Sequence, residues 1–311
     1  MNRRSSTAAK SIQEKYKMAI KTVQATLNGN TYNLTYDSDQ NAWVANLTAP
    51  GSTSFNLTGG YYDVSVIATN DAGTQTTANA ASNNGCKLVV KETVKPVITI
   101  INPTSGAYTV NNKQPITFTV VDEAGGSGVK TSTISVKVDG TAITDIKTAA
   151  ITNGYSVTAT PASALSDGSH TVKINASDND GNAAEEKSTT FTIDTVPPTL
   201  NVTSPAEGLI TASETVVVSG TTNDATSSPT TVTVNGKSVT VSSNGSFSTT
   251  VTLEEGENTI TIVATDAAGK TSTVTRHVTR NSKIPQITSV AITPNPANTG
   301  ASMILKVVVE E

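Results

Sequence analysis

The stretch Gly256–Lys270, GENTITIVATDAAGK, reads as a strand followed by a tight polar turn. Ile260, Ile262 and Ala264 fall at every second position, and Asp266 to Gly269 supply turn chemistry. Its spacing is carried by Gly256, Asn258, Ile260, Ile262, Ala264, Asp266 and Gly269. The same spacing, without gaps, fits Gly168, His170, Val172, Ile174, Ala176, Asp178 and Gly181, and again Gly60, Tyr62, Val64, Val66, Ala68, Asn70 and Gly73. A unit met three times in one chain is an internal repeat, and repetition decides architecture before any single residue does.

Prolines mark where the copies join. Pro197 follows Asp178 at the distance at which Pro285 follows Asp266, and Pro96 opens the extended run Val97–Ile101. Pro103 and Gly106 stand at the same offsets from Pro96 as Pro205 and Gly208 from Pro198. Proline fits the first residue of a strand or an edge, so each of these marks the entry to a module. Within the modules, two-residue turns interrupt alternating runs at Asn28-Gly29, Asp139-Gly140, Asn235-Gly236 and Asn244-Gly245, which are hairpin signals. Short strands at regular spacing predict an all-β chain of tandem immunoglobulin-like β-sandwiches joined by short Pro-containing linkers. The expected boundaries are an extension at 1–17 (disordered or a short helix), modules at 18–94, 95–194 and 195–282, and a strand pair or docking tail at 283–311.

Composition agrees. Aromatic residues make up 4% and charged residues 15% of the 311 positions, while Thr, Ser, Asn and Val abound, which suits small β cores with hydroxyl-covered surfaces. A net charge of -4 argues against nucleic-acid binding and against anionic membranes. Cys86 is alone, so each module holds by packing without a disulfide. The opening MNRRSSTAAKSIQEKYK is basic without a secretory core, and no apolar run spans a bilayer; the expectation is a chain made in the cytoplasm and not inserted in a membrane.

The ends look unequal. ATLNG near the N-terminus aligns with TVTVNG, which lies some way inside the third module, so module one is either a variant or short of opening strands. Residues 285–311 supply about two strands, too few to bury a face. Exchange of these strands between copies is one consequence, since an edge lacking a strand is a template. Local docking of the tail is the plainer one.

Catalytic chemistry is sparse. His170 takes a slot that Tyr62 and Asn258 fill elsewhere, which marks it as structural, and His277 sits in a similar alternating run. No phosphate loop, paired-His metal spacing or nucleophile elbow is found, so the expectation is a chain that is not an enzyme, with no catalytic or cofactor-binding residues. Cys86 is expected as a small buried hydrophobe and Trp43 as a core anchor. One acidic constellation remains: Asp178 and Asp180 in ASDNDGN, with Asp194 before the next module, could ligate calcium. A solvated turn is the ordinary reading of such a loop, because Asp and Asn make turns without metal and the sister loops ATNDAGT and ATDAAGK carry fewer carboxylates.

The run from TVPPTLNVTSPAEG through VTVNGKSVTV to GENTITIVATDAAGKTSTVTRHV resembles bacterial Ig-like modules of multi-domain surface and secreted proteins. SALSDGSHTVKINASDNDGNAAEEKSTTFTIDTVPP resembles a sister class. The whole order, from MAIKTVQATLNGNTYNLTYD to ITSVAITPNPANTG, is similar to Ig-like proteins encoded among tail and baseplate genes of phages and prophages of Gram-positive bacteria. That resemblance implies a structural or adhesive virion component that partners tail or baseplate proteins and touches host cell-wall polysaccharide. The alternative is a piece of a surface adhesin, or accessory modules of a secreted polysaccharide-acting protein. A free carbohydrate-binding module would need clustered exposed aromatics; Trp43, Tyr61, Tyr62 and Tyr155 are too scattered for one.

Overall fold

In the computed structural model, residues 19–293 and 295–310 are described, and the expected extension at 1–17 lies outside them. Strands are the main regular element. The chain divides into two compact units: one comprises residues through Thr104 with Pro115–Ala162 and Thr171–Thr189, the other Ser105–Gln114, Ser163–His170 and the chain from Thr190 on.

The first module contributes β1 (Ile20–Leu27), β2 (Asn30–Asp37), β3 (Ala42–Val44), β4 (Tyr62–Asn70), β5 (Gln75–Ala78) and β6 (Lys87–Leu88). They form a single sheet in the order β3-β2-β1-β4-β5, with β6 also on β4. The β1–β2 hairpin closes on Asn28 and Gly29, both at positive φ (47° and 79°), the conformation a two-residue turn needs to match strand twist. Val23, Ala25 and Leu27 are the buried face of β1. Cys86 is buried, as its type favours. Trp43 is not the core anchor the sequence suggests. It lies half-buried on the short edge strand β3 and meets Tyr36 edge-on at 5.8 Å, because an edge strand of three residues has no layer to sink into.

The second module supplies β7 (Val97–Asn102), β8 (Ala107–Thr109), β9 (Ile116–Val121), β10 (Ser135–Val138), β11 (Thr141–Ala142), β12 (Asp145–Ile151), β13 (Gly154–Thr160), β14 (Gly168–Asn175) and β15 (Lys187–Ile193). In the first unit, one sheet runs β12-β13-β9-β7, with Ile98, Ile116, Phe118, Val120, Val157 and Ala159 buried. Strands β10 and β14 pair antiparallel with Val136 against Ile174 and Val138 against Val172, all four buried. In the second unit, β8 runs parallel to β15, with Ala107 opposite Phe191.

The third module lies wholly in the second unit and shows the sandwich most clearly. Its strands are β16 (Thr199–Ser204), β17 (Leu209–Thr211), β18 (Thr215–Asn223), β19 (Thr231–Val234), β20 (Lys237–Val239), β21 (Ser246–Thr252), β22 (Gly256–Thr265) and β23 (Thr271–Arg280). One sheet runs β16-β18-β21 and the other β17-β23-β22-β19-β20. Val202, Val216, Val218 and Phe247 from the first meet Val232, Val234, Ile260, Ile262, Ala264 and Val278 from the second in one core. As in the second module, the strand after the Pro-x-x-Gly corner runs parallel to the last strand, Leu209 lying opposite Val278. The quoted stretch is β22, the strand paired to both β19 and β23, and its turn follows at once. The second and third modules are tandem Ig-like β-sandwiches, and the first is built, among the described residues, on one sheet.

The remaining strands, β24 (Gln286–Thr293) and β25 (Ile304–Glu310), pair antiparallel with each other, and Ile287, Val290, Ile292, Leu305 and Val309 are exposed on them.

Gly220 on β18 is required by contact. A Cβ there would stand 2.2 Å from the Asn201 carbonyl oxygen and 2.8 Å from the Phe247 ring. Gly220→Ala is therefore expected to destabilise the third module by about 1–3 kcal/mol, as overpacking of a filled core does. Ile260→Ala should cost about 2–5 kcal/mol by leaving a cavity. Hydrogen exchange of the β22 amides in the full chain reads both, and unchanged protection would contradict the packing described.

Candidate functional site

Alternation along the penultimate strand carries a carboxylate inward. Val172, Ile174 and Ala176 are buried, and the next residue on that face is Asp178; Ile260, Ile262 and Ala264 lead likewise to Asp266. Asp178 has no solvent exposure and Asp266 has 6%. Each joins two further acids from elsewhere in the chain.

In the first unit the group is Glu92, Asp122 and Asp178, one carboxylate oxygen of each lying within 4.8 Å of those of the others. Asp122 follows β9, and Glu92 lies in the linker before Pro96. Backbone amides orient all three. Gly181 and Asn182 N–H donate to Asp178 Oδ1 at 2.6 and 2.8 Å, Gly128 N–H to Asp122 Oδ2 at 2.7 Å, and Ser127 N–H to Glu92 Oε1 at 2.8 Å. Asn182 Nδ2 ties the linker in by donating both to Asp178 Oδ2 (2.8 Å) and to the Glu92 carbonyl (3.1 Å). Asp122 is only 4% exposed, yet among the described residues its Oδ1 has no hydrogen-bond partner, and neither has Glu92 Oε2.

In the second unit the group is Asp194, Asp224 and Asp266, with donor oxygens again within 4.8 Å. Asp194, fully buried, accepts from Val196 N–H at 3.0 Å and from the Ser227 hydroxyl. Asp224 Oδ1 accepts from Thr226 and Ser227 N–H at 2.8 and 2.7 Å, and Asp266 Oδ1 from Lys270 N–H at 2.8 Å. Asp266 Oδ2 is buried without a hydrogen-bond partner among the described residues.

Crowded carboxylates shift one another. The hydrogen bond with Glu92 pushes the Glu123 carboxyl up to about 7, with burial and Asp122 acting in the same direction. Burial works to raise Glu92, but hydrogen bonds from Glu123 and Ser127 outweigh it and hold Glu92 below the usual range. Burial also opposes the lowering of Asp224, which the Ser227 and Thr226 amides carry.

The sequence grouped Asp178, Asp180 and Asp194. The structure distributes them: Asp178 and Asp194 belong to different triads, and Asp180 belongs to neither. Asp180 Oδ2 instead accepts from the Thr53 hydroxyl at 2.5 Å and from Glu92 N–H at 3.0 Å. Reading the loop by itself missed Glu92, Asp122, Asp224 and Asp266. A signal was present in the offsets: Glu92 stands four residues before Pro96 and Asp194 four before Pro198, while Asp122 and Asp224 both stand twenty-six after those prolines. All-oxygen triads of this kind are donor sets for a hard cation.

The histidines are engaged structurally. Buried His170 shares a 2.8 Å hydrogen bond between Nε2 and the Ser166 carbonyl and packs on Phe191 at 5.5 Å. His277 Nδ1 lies 2.7 Å from Glu207 Oε1.

Known proteins agree with the architecture. Residues 104–195 match the family model described as bacterial Ig-like domain, and residues 198–282 that of glucodextranase domain B. The chain carries tandem Ig-like modules. A stretch of 109 residues is 36% identical to bacillopeptidase F of Bacillus subtilis (strain 168), covering 35% of this chain and 7% of that protein. Similar solved structures include the fibronectin(III)-like modules of Clostridium thermocellum CbhA (19% identity, 60% of this chain and 95% of that one, TM-score 0.38). Others are an I-band fragment of titin (14%, 84% and 88%, 0.42) and a tetra-tandem repeat from the extending region of a large adhesion protein (19%, 93% and 79%, 0.32). None of these matches supports the phage-tail part of the resemblance.

Two outcomes follow from the geometry. Ser227→Ala leaves the buried Asp194 carboxylate short of a donor and should destabilise the third module by about 1–3 kcal/mol, read by hydrogen exchange of the 224–227 turn. Glu123 has a folded pKa raised above its unfolded value of 4.5, so its contribution to stability is fully present below pH 4.5 and lost as pH rises through about 7. Glu123→Gln, a mimic of the protonated acid, should therefore raise the melting temperature at pH 8 in chelator and change it little at pH 4.

Proposed function

We propose that the chain provides non-catalytic accessory modules of a secreted or cell-surface bacterial protein, spacing or presenting a neighbouring functional part. One observation carries this reading: two consecutive modules, residues 104–195 and 198–282, each match domain families of that kind, one named for a glucodextranase and the other for bacterial Ig-like domains. The likeness of 109 residues to bacillopeptidase F supports it in the same sense, since a peptidase and a glucodextranase differ in chemistry and an accessory module is what such proteins can share. The physical character of the modules fits the role. Their outward strand positions are rich in Thr and Ser, as in β18 and β21, which keeps a sheet face soluble without strong charge.

The test is localisation in the source bacterium with an antibody against residues 96–281, applied to culture supernatant, cell-wall fraction and phage particles. Signal in the supernatant or wall is expected. Signal confined to phage tails or baseplates would overturn the proposal and make the chain a virion component.

A further inference from the structure

We propose that each of the two carboxylate triads binds one calcium ion, so that the chain holds two equivalent cation sites, each fed by a linker acid. Both triads offer oxygen donors only, the ligand chemistry of a hard divalent cation and not of thiolate- or imidazole-seeking metals.

The observation that points to a ligand is the orphaned oxygen. Asp122 and Asp266 are each more than nine-tenths buried, and among the described residues each keeps one carboxylate oxygen unpartnered against two other acids. A buried anion without a counter-charge is among the costlier features a fold can retain. The turns give their N–H groups to the other oxygen of each carboxylate, Gly128 to Asp122 and Lys270 to Asp266, which leaves the remaining oxygen for a cation. Those hydrogen bonds orient the carboxylates as outer-sphere donors orient metal ligands.

Recurrence is the second argument. The two triads use different residues in different copies of the repeat, yet linker acid and post-strand acid fall at the same offsets from Pro96 and Pro198. Accidental crowding in one copy would not be rebuilt in the next. The first module has Asn70 where the others have Asp178 and Asp266, and its Oδ1 accepts the Thr74 N–H, so the expected number of ions is two.

Calcium suits the sites better than magnesium. Calcium accepts about six to eight oxygens in irregular geometry, leaving room for carbonyls and water beside three carboxylates, whereas magnesium demands a near-ideal octahedron and keeps its waters.

The experiment is calorimetric titration of the full chain, stripped with chelator, using calcium chloride alone. Two ions per chain are expected, with a higher melting temperature in calcium than in chelator. Asp122→Asn and Asp266→Asn should each retain one ion and the double variant none. Melting in chelator checks that the variants fold; the isosteric amide removes repulsion, so their midpoints should equal or exceed that of the parent. The parent titration decides the matter by itself, because a chain that takes up no calcium overturns the proposal. So does a double variant that binds as the parent does. One ion lost in only one single variant would overturn the other site, and equal uptake and stabilisation by magnesium alone would overturn the assignment to calcium.

Discussion

Side chains along a strand alternate between two faces, and in this protein that rule drives a carboxylate inward at the end of a hydrophobic run. After Val172, Ile174 and Ala176 the inward position is Asp178; after Ile260, Ile262 and Ala264 it is Asp266. Nothing else about these loops is free once that charge is inside. The turn must curl back to offer amides, as Gly181, Asn182 and Lys270 do, and neighbouring segments must tolerate or balance the negative charge. In both places the neighbours bring further acids, the accumulated charge that the proposed cation would balance.

The linkers acquire their conformation from the same constraint. Residues such as Glu92 and Asp194 are short-range features of a proline-marked junction, and by composition they belong in solvent. Here Glu92 is gripped through its N–H by Asp180, through its carbonyl by Asn182 and through its side chain by Ser127, all within the first unit. Asp194 is gripped by Ser227 and by the Val196 amide within the second. A linker fastened at backbone and side chain behaves as part of the domain it touches. That is a useful property for modules whose proposed task is to hold a neighbour in place.

The first module shows what happens without the inward acid. With Asn70 in that position, the turn is closed by an amide side chain accepting the Thr74 N–H, and the strand face is half-buried instead of buried. Its core rests on Val23, Ala25 and Leu27 with Ala80 and Cys86. Ser54 takes part of the place of a second sheet, accepting the Val90 N–H at its hydroxyl and donating its own N–H to the Val90 carbonyl. The repeat is thus kept as a strand-and-turn signature while the layer packed on it differs.

Much of the fold was legible because its signals are local. Alternation over β22, the Asn235-Gly236 and Asp139-Gly140 turns at positive φ, and the Pro-x-x-Gly corners before β8 and β17 each depend on a few adjacent residues, and short-range sterics and burial enforce them. Trp43 misled because burial depends on what lies opposite a strand, which its own neighbours do not record. The triads were hidden for the same reason. Judged alone, ATDAAGK carries one carboxylate and looks like a solvated turn, while ASDNDGN looks richer than it is, since Asp180 serves the linker and not the triad. The sequence by itself determined the strands, the turns and the three-fold repeat. Only the tertiary structure decided that Glu92, Asp122 and Asp178, and Asp194, Asp224 and Asp266, share two buried pockets of charge, because carboxylates separated by many residues interact only through the space into which the sheets fold them.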